Sequence, residues 1–261
     1  MSAPTGTVLD RILAETREAV EQRKRKPVSR EPRERPPGPG RAFRDALAGP
    51  GIGVIAEFKR RSPSAGTLRD APVLERILTD YEQGGAVAAS ILTEEANFGG
   101  SLDDLREARE ACRLPLLRKD FIIDLFQISE ASQAGADAIL LIVAALSDPQ
   151  LGSLMGAAAT AGLDVLVEVH DGAELERALG LGAEIIGVNN RDLRDFTVDI
   201  ERTAELMSRI PGEVIVVSES GISSPAQLET LHSAGVHAVL VGETLMRAAD
   251  PAAALRTLLG R

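Results

Sequence analysis

Eight times over, this chain of 261 residues repeats one unit: a short apolar run, a polar loop and an amphipathic stretch, several of them leaving through a glycine-containing exit. The apolar runs fall at Ile52–Phe58, Ala86–Leu92, Pro115–Arg118, Ala138–Ile142, Asp164–Glu168, Ile185–Val188, Val214–Ser218 and Ala238–Val241. Strands this short and apolar, alternating with helices, form a parallel sheet covered by helices. The helical stretches are Val73–Gln83, Leu102–Ala111, Leu125–Ala134, Pro149–Ala161, Gly172–Leu179, Val198–Met207, Ser224–Ser233 and Leu245–Leu259. Ser101, Asp124, Asp148, Asp171 and Ser223 stand before five of them as caps. The exits QGGA, QAGADAI, TAGLDVL, GLGAEII and SAGVHAV each turn on glycine. Eight such units predict an α/β fold, a closed (β/α)8 TIM barrel, in preference to a doubly wound sheet, which usually has fewer strands.

Ahead of the first unit, Val8–Lys26 reads as an extra N-terminal helix with Val8, Ile12, Leu13, Thr16 and Val20 along one side. Its last turn, QRKRK, suits the negative end of the helix dipole and reads as a solvated face. The proline-rich stretch Pro27–Gly40 is a linker without regular structure, and Phe43–Leu47 is a short helical turn. The expected organisation is one domain over 1-261, with a helical extension and linker at 1-48 and the barrel at 49-261.

A formal net charge of -10 argues against a general nucleic-acid binder. The single cysteine, Cys112, excludes an internal disulfide and a multi-cysteine metal cluster, and reads as small filler near a helix end. No apolar run reaches the roughly 18 to 20 residues that cross a membrane, and the start of the chain has no signal-like apolar core. The cytoplasm is therefore the expected compartment. The oligomeric state is not legible, with a monomer favoured.

In such a barrel the functional face lies where strands end and βα loops begin, and the polar residues collect there. The first strand ends in IAEFKRRSPSAG, where a period of two puts Glu57 and Lys59 on one face and Phe58 on the other. An unpaired buried charge is costly or shifts its pKa, so ligand binding competes here with the plain reading of a strand end reaching solvent. The second strand leads into LTEEANFGGS with Phe98, and the third ends in LRKDF with Lys119, Asp120 and Phe121. Glu168 closes VLVEVHD after an apolar approach and is expected to point inward. The sixth strand supplies Asn189, Asn190, Arg191 and Asp192, the seventh Glu219, Ser220 and Gly221, and the eighth Gly242. Ser220-Gly221 and Gly242-Glu243 occupy the usual barrel phosphate position, where backbone N–H groups hold an anion without basic surface. Ser62 lies in the adjacent loop. Glu243 must turn its side chain away from such an anion.

These residues also carry a resemblance. IAEFKRRSPS, LLRKDFI, LVEVH, IGVNNRDL and VSESGI, in this order and at these strand ends, closely resemble the indole-3-glycerol phosphate synthase family over nearly the whole chain. The resemblance implies a carboxy-lyase of tryptophan biosynthesis acting on 1-(2-carboxyphenylamino)-1-deoxyribulose 5-phosphate by ring closure, loss of carbon dioxide and dehydration. It makes Lys119 the general acid on the ribulose carbonyl and Glu168 the partner for later proton transfers, while Glu57 helps expel the hydroxyl. Lys59 pairs with the substrate carboxylate, Asn189 holds hydroxyl and carboxylate groups, and Glu219 orients the lysines. Ser62, Ser220, Gly221 and Gly242 match the phosphate region. Phe98, Phe121 and Leu193 match the apolar contacts of the anthranilate ring, and Arg191 a position that supports the site. The resemblance implies no cofactor, no metal and no partner beyond a small phosphorylated substrate. Lysine, with an ordinary pKa of about 10.4, is a sluggish acid at neutral pH, so Lys59 is expected to bias Lys119 downward, with Glu57 opposing.

Plainer readings stand beside these. Lys119 with Asp120 fits a rim salt bridge, Arg191 with Asp192 an ordinary ion pair, and Asn190 a loop-shaping role. His170 precedes a cap and reads as local, while His232 and His237 lie away from the active face. A Schiff-base aldolase would use Lys119 or Lys59 as nucleophile. A metal-dependent enolising enzyme would ligate through Glu57, Glu168 and Glu219. A phosphoribosylanthranilate isomerase would carry a cysteine at the end of the first strand, where this chain has Glu57 and Lys59. A barrel without activity would have little use for polar residues at five strand ends.

Overall fold

The computed structural model describes residues 6–25, 42–192 and 197–261, so the linker Pro27–Gly40 and Leu193 lie outside the described residues. The apolar runs form β1 (Gly53–Phe58), β2 (Ala88–Leu92), β3 (Leu116–Lys119), β4 (Ala138–Ile142), β5 (Asp164–Val169), β6 (Ile185–Asn189), β7 (Ile215–Glu219) and β8 (Ala238–Val241). Each pairs in parallel with its neighbours in sequence, and β1 meets β8 with Gly53 opposite Ala238 and Ala56 opposite Val241. The sheet is thus a closed barrel without an edge.

Among the described residues two helices precede the barrel, α1 (Val8–Lys24) and α2 (Ala42–Leu47). Those around it are α3 (Leu74–Gly84), α4 (Leu102–Ala111), α5 (Leu125–Gln133), α6 (Asp148–Thr160), α7 (Gly172–Gly180), α8 (Glu201–Met207), α9 (Pro225–Ser233), α10 (Glu243–Arg247) and α11 (Pro251–Leu258). Ser101, Asp124 and Asp171 cap α4, α5 and α7 as expected. On α6 and α9 the cap is Ser147 and Ser224, one residue from the expected Asp148 and Ser223. The reason is the glutamine three residues on: Gln150 and Gln227 reach back to the backbone N–H of Ser147 and Ser224 at 3.1 and 3.0 Å.

Two helix boundaries differ from the periodicity. Helix α8 starts at Glu201, because Val198 is committed to an antiparallel bridge with Arg191 and Asp199 accepts the N–H of Glu201. The stretch Leu245–Leu259 is two helices, since Pro251 has no N–H to continue a helix and Asp250 starts a new one by accepting from Ala253.

The alternation of the strands divides the core in two. Outward Val54, Ala56 and Phe58 pack with Leu74, Ile77 and Leu78 of α3 in the layer between barrel and helices. Inward Ile55, Leu117, Leu166, Ile185, Ile215 and Val217 fill the barrel, and Phe43 and Leu47 of α2 belong to this interior cluster. Among the described residues no helix is long and apolar enough to cross a membrane. Cys112 is buried at the end of α4, and burial pushes its thiol pKa up.

Helix α1 buries Ile12, Leu13, Thr16 and Val20. Its basic end is not simply solvated, which corrects the sequence reading. Arg23 Nε lies 2.7 Å from Glu130 Oε1 and Lys24 Nζ 2.7 Å from Asp124 Oδ2, so both reach α5 or its cap. Glu130 also meets Arg118 Nη2 at 3.4 Å. Arg118 is 1% exposed and bonds Asp120 at 2.8 Å and Thr93 Oγ1 at 3.1 Å. One buried network therefore ties α1 and α5 to the rim of β3. Removing one partner of such a network leaves the others charged and unpaired. Arg118→Ala is expected to cost about 3–5 kcal/mol of unfolding free energy in a urea titration; a cost near zero would show the network to be dispensable.

Candidate active site

The last inward position of each strand faces the others across the mouth of the barrel, so residues far apart in sequence meet there. Lys119 Nζ of β3 lies 3.3 Å from Glu168 Oε2 of β5 and 3.4 Å from Glu219 Oε2 of β7. Asn189 of β6 donates its Nδ2–H to Glu168 Oε1 at 3.1 Å. Its Oδ1 accepts from Ser220 Oγ at 2.9 Å and from the Arg191 N–H at 3.0 Å, which fixes which way the amide points. Lys59 forms an ion pair with Glu57 of β1.

Two glycines make room for these carboxylates. A Cβ on Gly187 of β6 would overlap Oε1 of Glu219, and one on Gly242 would overlap Oε1 of Glu57. Glycine here leaves room for the tip of a carboxylate side chain, which a Cβ would displace; neither residue is among those with positive φ.

Burial disfavours the charged forms of Lys119, Glu168 and Glu219, and their neighbours decide the outcome. For Lys119 burial pulls the pKa down, but Glu168, Glu219 and Glu57 together drive it well above the ordinary lysine range. The expected downward bias from Lys59 is therefore reversed, since three carboxylates outweigh one ammonium that is itself paired with Glu57. For Glu168 burial acts upward, but Lys119, His170 and Asn189 hold the carboxyl well below its usual range. Glu219 goes the other way: burial, with Glu168 and Glu57 nearby, outweighs Lys119 and lifts it to about 7.

These groups line a cavity of about 430 Å³. Phe98 and Phe121 line it too, with ring centroids 6.3 Å apart. Phe98 is set by the buried carboxylate of Glu94, which accepts the N–H groups of Asn97 at 2.7 Å and Phe98 at 2.9 Å. Ser62, Arg191, Ser220, Gly221 and Gly242 also line the cavity. Ser220 and Gly221 are successive left-handed residues, with φ of 67° and 84°. For serine this backbone is strained, and Asn190 holds it by donating to Ser220 O at 3.1 Å and Ser218 Oγ at 3.0 Å. Asn190 thus shapes the loop.

Asp120 does not form the rim salt bridge with Lys119, because Arg118 and Thr93 take it. His237 is not among the residues that line the cavity and accepts the Val216 N–H through Nδ1. Among the described residues no group of three or more His, Cys, Asp and Glu side chains is disposed to hold a metal ion.

The sequence reading passed over several wall residues. Ser64, Thr244 and Arg247 line the cavity, as do Leu140, Ile142 and Leu240. Arg247 bonds Glu243 at 3.1 Å and the carbonyl of Ala65 at 3.3 Å, which shows where the Glu243 side chain turns. Its place was hidden because the periodicity put the start of that helix at Leu245. His170 was read as local, and it does bond Glu174, but its Nε2 also lies 3.4 Å from Glu168 Oε1. Its spacing two residues after Glu168 was the available signal.

The family model described as indole-3-glycerol phosphate synthase matches residues 9–258. The chain is 50% identical over 222 residues to indole-3-glycerol phosphate synthase 2 of Streptomyces coelicolor, covering 85% of this chain and 86% of that protein. It is 45% identical over 259 residues to indole-3-glycerol phosphate synthase of a Polaromonas species, covering 97% and 98%. Among solved structures, N-acetylmannosamine-6-phosphate 2-epimerase from Clostridium perfringens is similar with a TM-score of 0.62 at 17% identity, covering 77% of this chain and 90% of that one. Thiamine phosphate pyrophosphorylase from Pyrococcus furiosus is similar with a TM-score of 0.61 at 18% identity, covering 84% and 96%. Those two likenesses are of fold alone. With the family model spanning β1 to β8 and relatives about half identical over most of both chains, the chain belongs to the indole-3-glycerol phosphate synthase family.

Proposed function

We propose that this chain converts 1-(2-carboxyphenylamino)-1-deoxyribulose 5-phosphate to indole-3-glycerol phosphate by ring closure, decarboxylation and dehydration, using general acid/base catalysis. The observation that carries the reading is the Lys119 ammonium between Glu168 and Glu219, in a cavity that has two phenylalanines and a glycine-serine turn on its wall. The substrate has matching parts: a carboxylated ring, a flexible hydroxylated chain and a phosphate. The ring lies against Phe98 and Phe121. The phosphate lies at Ser220, Gly221 and Gly242, with Ser62 closing the corner. Anchoring both ends of a flexible chain removes much of the entropy that opposes cyclisation.

Ring closure puts negative charge on the ribulose carbonyl oxygen, and Lys119 donates its proton there. A lysine with a raised pKa is fully protonated at neutral pH, and an alkoxide is far more basic than an amine, so the transfer still runs downhill as the charge develops. The substrate carboxylate draws Lys59 away from Glu57. Loss of carbon dioxide restores the aromatic ring, which supplies the driving force without an external electron sink. Glu57 and Lys59 then serve the loss of the hydroxyl, with Glu168 moving the remaining proton. Asn189 and Glu219 hold hydroxyl groups and keep Lys119 aimed, and Arg191 supports the wall between β6 and the phosphate corner.

The direct test is turnover of this substrate by the purified protein, followed by the fluorescence of the indole product; a folded, substrate-binding sample that makes no product would overturn the assignment. Lys119→Ala is expected to lower kcat by about 10²–10⁴-fold while substrate binding persists, as the loss of a general acid does. Gly187→Ala, which displaces Glu219 from its niche, is expected to lower kcat by about 10²-fold with an unchanged circular dichroism spectrum. Glu219 has its folded pKa raised above its unfolded value, so its contribution to stability is present below the unfolded pKa and is lost as pH rises through about 7. Thermal unfolding should therefore show Glu219→Gln gaining on the wild type as pH rises from 5 to 8, by roughly a few degrees.

A further inference from the structure

His170 lies between two carboxylates that face it from different elements. Its Nε2 is 3.4 Å from Glu168 Oε1 of β5, and its Nδ1 is 3.1 Å from Glu174 Oε2 in the first turn of α7. The backbone N–H of His170 donates to the same Glu174 oxygen at 2.7 Å, so the Glu174 side chain is pinned against the strand end. Nε2 is shut away from solvent and makes no hydrogen bond, and the Glu168 carboxylate is the charged group beside it. A neutral imidazole has one N–H and would turn a lone pair toward one of the two carboxylates. An imidazolium can donate to Glu174 through Nδ1 and set a positive charge 3.4 Å from Glu168.

The charged groups around Glu168 come from three further elements. Lys119 of β3 reaches Oε2, with Glu219 of β7 and Glu57 of β1 lying beyond it, while Asn189 of β6 gives a neutral N–H to Oε1. Among the described residues, Lys59 pairs with Glu57, while Lys119 is the lysine of the catalytic group that pairs with Glu168. In the proposed reaction that cation is spent: the N–H proton of Lys119 passes to the carbonyl oxygen, the N–H bond pair stays on nitrogen, and a neutral amine is left. Glu168 then needs another positive charge if it is to remain a carboxylate for the steps that follow.

We propose that His170 is a positioning residue for Glu168: an imidazolium braced by Glu174 that fixes the carboxylate and keeps it ionised after Lys119 has given up its proton. This role rests on the proposed reaction. It has the support that Glu168 and Glu174, against burial, lift His170 to about 10. The brace makes a sign prediction. Without Glu174 the imidazolium deprotonates at lower pH, so activity is lost at lower pH on the alkaline side.

The test uses nitrogen-15 histidine labelling of the whole chain, which has three histidines, with His170→Asn identifying the signal. At pH 8 both ring nitrogens of His170 should be protonated. His170→Asn should lower kcat about tenfold or more with KM within about threefold. Glu174→Gln should move the alkaline limb of the kcat profile down by about one pH unit or more, in step with the His170 titration. A neutral His170 at pH 8 in the wild type would overturn the proposal, as would a Glu174→Gln profile that superimposes on the wild type. Absence of turnover in the wild type would overturn the reaction, and this role with it; the nitrogen titration decides the imidazolium independently of turnover.

Discussion

Lys119 shares its ammonium between Glu168 and Glu219, two carboxylates buried inside a ring of strands, and the surrounding structure is arranged to make that tolerable. Taking a carboxylate or an ammonium out of water costs several kcal/mol even after relaxation, so each charge here needs fixed partners. Asn189 supplies a neutral donor to Glu168, and Ser220 and Arg191 hold the amide that does so. Gly187 and Gly242 leave space where any side chain would push a carboxylate off its place. Behind β3, Arg118 takes up Asp120, which would otherwise compete for Lys119.

The same enclosure serves the chemistry. Dipoles and charges already aimed at a reacting atom need no reorganisation when charge develops there, and they act more strongly where water is excluded. The carboxylates of the group are also held in different states. Glu168 stays low, against its burial, because Lys119 faces one of its oxygens and His170 and Asn189 the other, and Glu219 rises to about 7 because it is buried beside other carboxylates. An acid/base pair with separated pKa values follows from position alone.

The support for this group extends well outside the cavity. Arg23 of α1 reaches Glu130 of α5, which reaches Arg118 and through it the strand that carries Lys119. Phe43 and Leu47 of α2 pack in the apolar cluster that fills the barrel below the charges. The strain at Ser220 is held by Asn190, whose own Oδ1 accepts from Thr203 of α8 at 2.8 Å. Local backbone strain of this kind persists where the surroundings over-determine it.

Much of the architecture was legible in the sequence, because strand alternation and helix caps are local chemistry. The run from Ile52 to Phe58 reads as β1, with Glu57 and Lys59 on one face, since a period of two needs no tertiary information, and barrel closure turns that face to the cavity. The closed sheet follows from eight such units in order. Boundaries set by long-range contacts were not legible, as the late start of α8 shows, where Val198 is used by Arg191. Many of the residues that line the cavity could be named strand by strand, because they stand at or just past a strand end, but their partners could not. Sequence spacing carries no information on which side chains meet across a barrel. Only the tertiary structure decided that three carboxylates would raise the Lys119 pKa where Lys59 alone would lower it, and that His170 would face Glu168 as well as Glu174. Electrostatic outcomes depend on distance and burial, and in this chain both are fixed by the closure of the barrel.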